Sequence, residues 1–261
     1  MIRLIDKDSF QYKIIKDFAE KNHLPLQLRF DVLDIVFEIR PAARVLVRVE
    51  SEAEAVCRDI LDAGLFISVG KGVKWQKKSA GLTCHDWFDD NSAKDNSEQM
   101  AILYIAASES MAEQTRAADE TRDDKVFAKA LGYPDCCIEW VCKRRRVPEL
   151  SECIELYTRD GLYDPLVWPG AMLVDAPLTP HYPCSIDCKK SQKIARARMQ
   201  ILKKLECKEL IARIINSRDL IYSLNFDGHM SSHSPADFSP LKANLIAKPS
   251  MSATERLEFA L

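Results

Sequence analysis

Two short segments, each with a proline just before its cysteines, constrain this 261-residue chain more than any other part of the sequence. The first is Gly132-Tyr133-Pro134-Asp135-Cys136-Cys137, and the second is His181-Tyr182-Pro183-Cys184-Ser185-Ile186-Asp187-Cys188. Proline fixes its own backbone angle and lacks an N–H, so it suits a turn that leads into a helix. Each motif is therefore predicted to open a helix, with four of the nine cysteines at or beside the two helix N-termini.

A helix N-terminus favours thiolate over thiol, and thiolate is the form that binds metal or attacks an electrophile. His181 lies three residues before Cys184 and can add an imidazole nitrogen. Sulfur ligands with one imidazole favour zinc or an iron–sulfur cluster over magnesium or calcium, and the spacing leaves both open. The predicted metal ligands are listed here: Cys136, Cys137, Cys184, Cys188 and His181. Among them, His181 and Cys136 are also the candidate catalytic residues.

The sequences LGYPDCCIE, which begins at Leu131, and HYPCSIDCKKS, which begins at His181, stand about fifty residues apart. Together they resemble the signature pair of a prokaryotic domain family of unknown function, in which LGYP-x-CC and H-x-PCS-x-x-C elements recur. The resemblance covers roughly residues 102–205. It implies that the four cysteines and His181 form one functional unit, and it implies no particular activity.

Hydrophobic periodicity predicts an α+β fold, in which a small N-terminal α/β layer precedes a mainly helical half that carries the cysteine motifs. A first helix is predicted from about Lys7 to Asn22, and a second opens at Ser51 and ends near Gly64. Lys71 to Asn96 lacks clear periodicity and is predicted as a surface excursion. Strands are predicted at Leu26–Phe30, Ile35–Ile39, Val45–Val49, Leu65–Val69 and Ala101–Ala106.

The second half is predicted to be mostly helical, and Ser185 is the expected N-cap of the helix that carries the second motif. Its predicted helices are Ser108–Leu131, Pro134–Arg145, Pro148–Arg159, Ser185–Leu205 and Lys208–Asn216. A strand-like segment, Leu220–Leu224, precedes a polar tail. We therefore predict three parts: residues 1–100, which could bind substrate or a partner, a cysteine-motif domain at 101–216, and the terminal segment at 217–261.

Composition narrows the class of protein. A formal net charge of −2 argues against a molecule that is basic as a whole, although local basic patches are compatible with it. The sequence has no apolar stretch long enough for a membrane span and no secretory leader, so we expect a cytoplasmic protein that does not bind membranes. In a reducing compartment the cysteines are metal ligands, catalytic thiols or buried thiols rather than disulfides.

The sequence gives less support to other candidate metal ligands. Cys84 and His85 stand in a polar segment, and His229 and His233 have helical ligand spacing inside what reads as a flexible tail. Cys57, Cys142 and Cys153 fall on apolar helix faces and are expected to be structural.

Basic residues accompany both motifs. Lys143-Arg144-Arg145-Arg146 ends the first motif's helix, and the helix after Cys188 is expected to be basic everywhere except its inward stripe. Such runs are often simply solvated, but they would also attract an anionic substrate such as a nucleotide, an acidic leader peptide or RNA. The basic residues of the second helix are Lys189, Lys190, Lys193, Arg196, Arg198, Lys203 and Lys204.

Three functional hypotheses follow. The first is a metalloenzyme of small-molecule or peptide biosynthesis, because five donors exceed a closed four-ligand site, with Ser185, Asp187 and Ser191 orienting the thiolates. The second is a metal-free thiol enzyme or redox protein in which His181 acts as a base. The third is a structural zinc module that presents basic helices to nucleic acid.

Overall fold

The protein has an α+β fold. The computed structural model describes residues 9–21, 24, 26–49, 52–71, 73–77, 85–88, 98–144, 178–185, 187–217, 221–224, 230–233 and 244–247. These residues fall into two compact units, divided between Cys142 and Lys143. The functional roles predicted for residues 1–100, 101–216 and 217–261 stay predictions.

An antiparallel sheet forms the centre of the first unit. Its strands are β1 (Ala42–Arg48), β2 (Phe66–Val69), β3 (Val73–Lys77), β4 (His85–Phe88) and β5 (Glu98–Ala106). Strand β5 is central: β1 pairs along one edge, from Ala42 opposite Ala106 to Arg48 opposite Met100, and β2 and β3 pair along the other. Strand β4 pairs with β3, so the segment predicted as a surface excursion contains two strands of the sheet.

The helix predicted between the strands Val45–Val49 and Leu65–Val69 is present, and so are both strands. Helix α3 (Ala53–Asp62) connects β1 to β2, and both strands run antiparallel to β5, which lies between them. Val56 and Ile60 are the buried residues of α3 and form its inner side. Glu52 is the N-cap of α3, and Ser51, the predicted start of this helix, lies outside the described residues.

The segment after the first helix differs from the sequence prediction. Helix α1 (Phe10–Glu20) is confirmed, and the Ser9 side chain accepts a hydrogen bond from the Tyr12 N–H. The predicted strands Leu26–Phe30 and Ile35–Ile39 are wrong, because Leu26–Val36 is helix α2. Every residue from 28 to 37 is buried, so the polar side chains between the apolar ones do not mark a solvent-facing side of a strand.

One predicted helix, Ser108–Leu131, is two. Helix α4 (Glu109–Glu120) ends at Thr121, and Arg122 has a positive φ of 56°. Helix α5 (Asp124–Ala130) then begins with Asp123 as its N-cap, whose carboxylate accepts the N–H groups of Lys125 and Val126. A capping residue inside the pattern therefore restarts the helix.

The described residues of the second unit form two helices and a small sheet. Helix α7 (Lys189–Lys204) is followed by α8 (Lys208–Ser217). Strand β6 (Ile221–Leu224) pairs with both β7 (Met230–His233) and β8 (Asn244–Ala247), so two strands lie where the sequence predicted a polar tail. The predicted helix Pro148–Arg159 falls outside the described residues. Helix α6 (Asp135–Lys143), which precedes this gap, carries the first cysteine motif.

Candidate metal centre

The first motif is a helix stop followed at once by a helix start. Helix α5 is terminated by Gly132, which follows its C-cap Leu131 and has a φ of 75°. The Gly132 N–H donates to the Lys129 carbonyl, and the Tyr133 N–H donates to the Ala128 carbonyl. This pair of bonds is a Schellman termination. The Pro134 carbonyl then accepts the N–H groups of Cys137 and Ile138, so α6 begins directly after the proline. The predicted end of one helix at Leu131 and the predicted beginning of the next at Pro134 are therefore both confirmed.

This turn packs against a buried charged group. A Cβ atom at Gly132 would lie 2.5 Å from Pro41 Cδ and 3.1 Å from Arg40 Cβ. Arg40 is 5% exposed and forms ion pairs with Asp31 and Asp34 of α2, the second of them with 3.1 Å between Nε and Oδ2. The turn that leads into α6 therefore packs against Arg40 and Pro41, and local sequence patterns did not identify these two residues as its neighbours.

Charge keeps Arg40 protonated in this buried place. Desolvation lowers the pKa of its guanidinium, but the carboxylates of Asp31 and Asp34 raise it more, with a further contribution from Tyr133, so the net pKa is above its usual value. The guanidinium of Arg40 therefore keeps its charge although it is buried.

The second motif is a turn before α7 rather than part of it. The predicted cap Ser185 is wrong: Cys188 is the N-cap of α7, and the Cys188 N–H donates to the Ser185 carbonyl at 3.2 Å. Cys188 is buried and Cys184 is half-buried. Cys188 thus stands at the beginning of α7, and Cys184 lies in the turn that precedes it.

The four motif cysteines form one group. Every pair of Sγ atoms among Cys136, Cys137, Cys184 and Cys188 is within 4.8 Å, and those of Cys136 and Cys137 are 3.9 Å apart. None of the four forms a disulfide. Four soft donors this close together could hold a metal ion, and the donor set is compatible with zinc or iron–sulfur chemistry.

His181 is not a member of this group. It is buried, and its Nε2 lies 2.9 Å from the Oγ of Ser191, which is fully buried one turn into α7. The predicted ligand and catalytic roles of His181, and the catalytic role of Cys136, stay predictions. Of the residues predicted to orient the thiolates, Ser191 contacts His181, Ser185 is half-buried and Asp187 is exposed, and their roles stay predictions.

The remaining cysteines and histidines lie elsewhere or are not described. Cys142 is exposed at the far end of α6, which corrects its prediction as a buried structural residue. Cys207 is buried, with its thiol 3.8 Å from the Leu205 carbonyl oxygen. Cys57 is half-buried, and burial raises its thiol pKa. Predictions for Cys84, Cys153 and His229, and for the side chains of His85 and His233, lie outside the described residues.

One of the basic residues that were predicted to be exposed is buried. Arg198, expected to be solvated, is 1% exposed on the buried side of α7 with Ser191, Ala195 and Leu202. These four residues recur at intervals of three or four positions and therefore share one side of the helix.

Comparison of the chain with family models, with curated proteins and with solved structures finds no match. The family resemblance of the two motifs therefore stays a prediction. In the parts of the chain that the structure describes, no helix is both long enough and apolar enough for a membrane span.

Proposed function

We propose that the protein binds a single zinc ion through Cys136, Cys137, Cys184 and Cys188, and that the ion has a structural role. The observation that carries the proposal is the mutual distance of the four sulfurs, at most 4.8 Å. A tetrahedral zinc ion with bonds of about 2.3 Å holds its sulfur ligands about 3.8 Å apart. A contraction of an ångström or less would bring the group to that geometry.

The same distance favours one ion over an iron–sulfur cluster. Thiolates that bind different iron atoms are separated by the iron–iron distance as well as by the metal–sulfur bonds. A cluster would thus need the four sulfurs farther apart, whereas a single ion needs them slightly closer. An iron–sulfur cluster remains the alternative occupant that metal analysis must exclude.

The donor set also bears on the role of the ion. Four thiolates fill a tetrahedral zinc ion, whereas a catalytic zinc keeps one position for water or substrate. The expectation of an enzyme depended on His181 as a fifth donor, and its Nε2 contacts Ser191 instead. A thiolate site also suits a reducing compartment, so we retain the expectation of a cytoplasmic protein.

A second candidate is an enzyme of small-molecule or peptide biosynthesis. It is favoured by the buried contact between His181 and Ser191, three residues after Cys188, because an imidazole bonded to a hydroxyl can transfer a proton. That role requires a thiolate to leave the metal when an anionic substrate or peptide binds. A zinc ion with four permanent sulfur ligands would argue against it.

Metal analysis of single variants tests the proposal. We expect the protein purified without oxygen to contain one zinc ion per chain and no sulfide. Cys136→Ser, Cys137→Ser, Cys184→Ser and Cys188→Ser should each lose most of the zinc to a chelator that the parent protein resists, because each removes one of four ligands.

Two matched variants control for loss of a thiol. Cys142→Ser changes an exposed thiol on the same helix as Cys136 and Cys137, and Cys207→Ser changes a buried thiol outside the group. Both should retain the zinc. Iron with sulfide would replace the zinc proposal by a cluster, and a metal-free parent protein would leave the thiol-enzyme hypothesis in its place.

A further inference from the structure

Helix α7 carries charge of one sign only. Its 16 residues include seven lysines and arginines and no acidic residue, although the whole chain has a formal net charge of −2. At 3.6 residues per turn, five of these cations fall within an arc of about 100° around the helix axis. We call these five residues the basic face: Lys189, Lys193, Arg196, Lys203 and Lys204.

The basic face points to solvent. Four of its members are exposed and Lys203 is half-buried, and the exposed Gln200 lies among them. The opposite side of α7 is buried through Ala195, Met199 and Leu202. The buried side of the helix thus lies away from the basic face.

Other exposed helix surfaces in the described parts of the chain mix charges. On α3, Arg58 pairs with Glu54, and on α4, Arg116 pairs with Glu120, each four residues apart. On α7 the equivalent neighbours Lys189 and Lys193 have the same sign, which works against an isolated helix. Helix stability therefore does not account for the pair Lys189 and Lys193.

The metal site accounts for only one end of it. A zinc ion with four thiolates has a formal charge of −2, and Lys189 follows the ligand Cys188 directly. Lys204 is about 24 Å from Cys188 along the helix axis, well beyond the screening length of about 8–10 Å in physiological salt. Neutralising the thiolates explains the start of the basic face. Lys203 and Lys204 stand in the last turn of α7, where the helix dipole favours cations, so neither effect explains Arg196 in the middle of the face.

We propose that the basic face binds the phosphate backbone of double-stranded nucleic acid without reading its sequence. It is a straight row of cations about 22 Å long, and a duplex presents one negative charge per about 1.7 Å of its axis. Four of the five cations are lysines, which meet phosphates as point charges without fixed geometry, as a contact that does not read sequence requires. Helix α7 has no aromatic residue on which unpaired bases could stack.

Fluorescence anisotropy with a labelled DNA duplex of about 20 base pairs tests the proposal on the metal-loaded full chain, between about 50 and 200 mM salt. Five phosphate contacts predict a slope of about −4 to −5 for the logarithm of affinity against the logarithm of salt concentration. Lys193→Gln combined with Arg196→Gln should make the slope shallower by about 2 and weaken binding at 100 mM salt at least tenfold.

The control variant removes the same amount of charge elsewhere. Lys125→Gln with Lys129→Gln changes two exposed lysines of α5 and should bind the duplex like the parent protein. All three proteins should contain the same amount of zinc. A difference in duplex affinity between them would then come from the changed side chains and not from the metal. The proposal is overturned if the parent protein does not bind, if both double variants lose affinity equally, or if poly-glutamate or single-stranded DNA competes as well as unlabelled duplex.

Discussion

At position 132 the backbone itself requires glycine. Its φ of 75° is one that residues with a Cβ adopt at a cost, and a Cβ there would also meet Pro41 and Arg40. The turn that depends on this residue leads directly to Cys136 and Cys137. Gly132 therefore links the packing of the first unit to the position of two predicted zinc ligands.

We expect Gly132→Ala to lower the free energy of unfolding by about 2–4 kcal/mol, from backbone strain and from overpacking against Pro41. It should also speed the loss of zinc to a chelator, because the start of α6 would shift. Urea unfolding and the rate of zinc transfer check the two effects.

Gly64 provides a control that separates strain from packing. It has a similar φ of 79°, but a Cβ there would have no neighbour within 4 Å. Gly64→Ala should therefore cost only about 1–2 kcal/mol and leave the rate of zinc loss unchanged. Equal effects of the two substitutions on both measurements would contradict the packing argument.

Residue chemistry made half of this turn predictable. Glycine followed by proline correctly predicted the end of α5 and the beginning of α6, because these residues act through their own backbone angles. Arg40 and Pro41 could not be predicted, since they are distant in sequence and contact the turn only in the folded chain.

At the scale of elements, α2 is the instructive case. Alternation of apolar and polar residues predicted a strand at Leu26–Phe30, and strand-forming residues predicted another at Ile35–Ile39. In the structure, however, Arg29, Asp31 and Asp34 are buried rather than exposed. The spacing of apolar residues distinguishes a helix from a strand only when the polar residues between them face water. The prediction succeeded at α1 and α3, where polar and buried sides are distinct, and failed where ion pairs place charges in the core.

The ion pairs of Arg40 should matter for stability. We expect Arg40→Met to lower the free energy of unfolding by about 3–5 kcal/mol, because it leaves the carboxylates of Asp31 and Asp34 buried without their cation. Urea unfolding of the zinc-loaded protein measures this loss.

An exposed ion pair supplies the comparison. Arg58→Met removes the partner of Glu54 on the surface of α3, where both side chains are largely exposed. That change should cost less than about 1 kcal/mol. A similar, small loss for Arg40→Met would show that the buried pairs contribute little.

At the scale of the whole molecule, the sequence predicted the members of the site better than its geometry. Helix N-termini and soft ligands singled out the four cysteines, which the structure brings together. The sequence did not reveal that His181 contacts Ser191, because that contact depends on tertiary packing. For the same reason Arg198 looked solvated in the sequence although it is buried.

Stability should depend on pH through the metal. Thiolates in the zinc site carry no protons, whereas the same thiols bind protons once the metal has left. Lowering the pH from about 7 therefore favours metal release. We expect the difference in Tm between zinc-loaded and zinc-free protein to shrink steadily on acidification.

The Cys188→Ser variant is the reference for this effect. Lacking one ligand, it should show little Tm difference between the two forms at any pH. If the parent protein keeps its full Tm difference in acid, proton-sensitive thiolates do not hold the metal.

The most direct test of the central claim is X-ray absorption at the zinc edge of the purified protein, which reports the atoms bound to the metal. Our account predicts four sulfur atoms at about 2.3 Å and no nitrogen or oxygen ligand. A nitrogen or oxygen among the ligands, or a nearby second metal atom, would contradict a closed site made by Cys136, Cys137, Cys184 and Cys188.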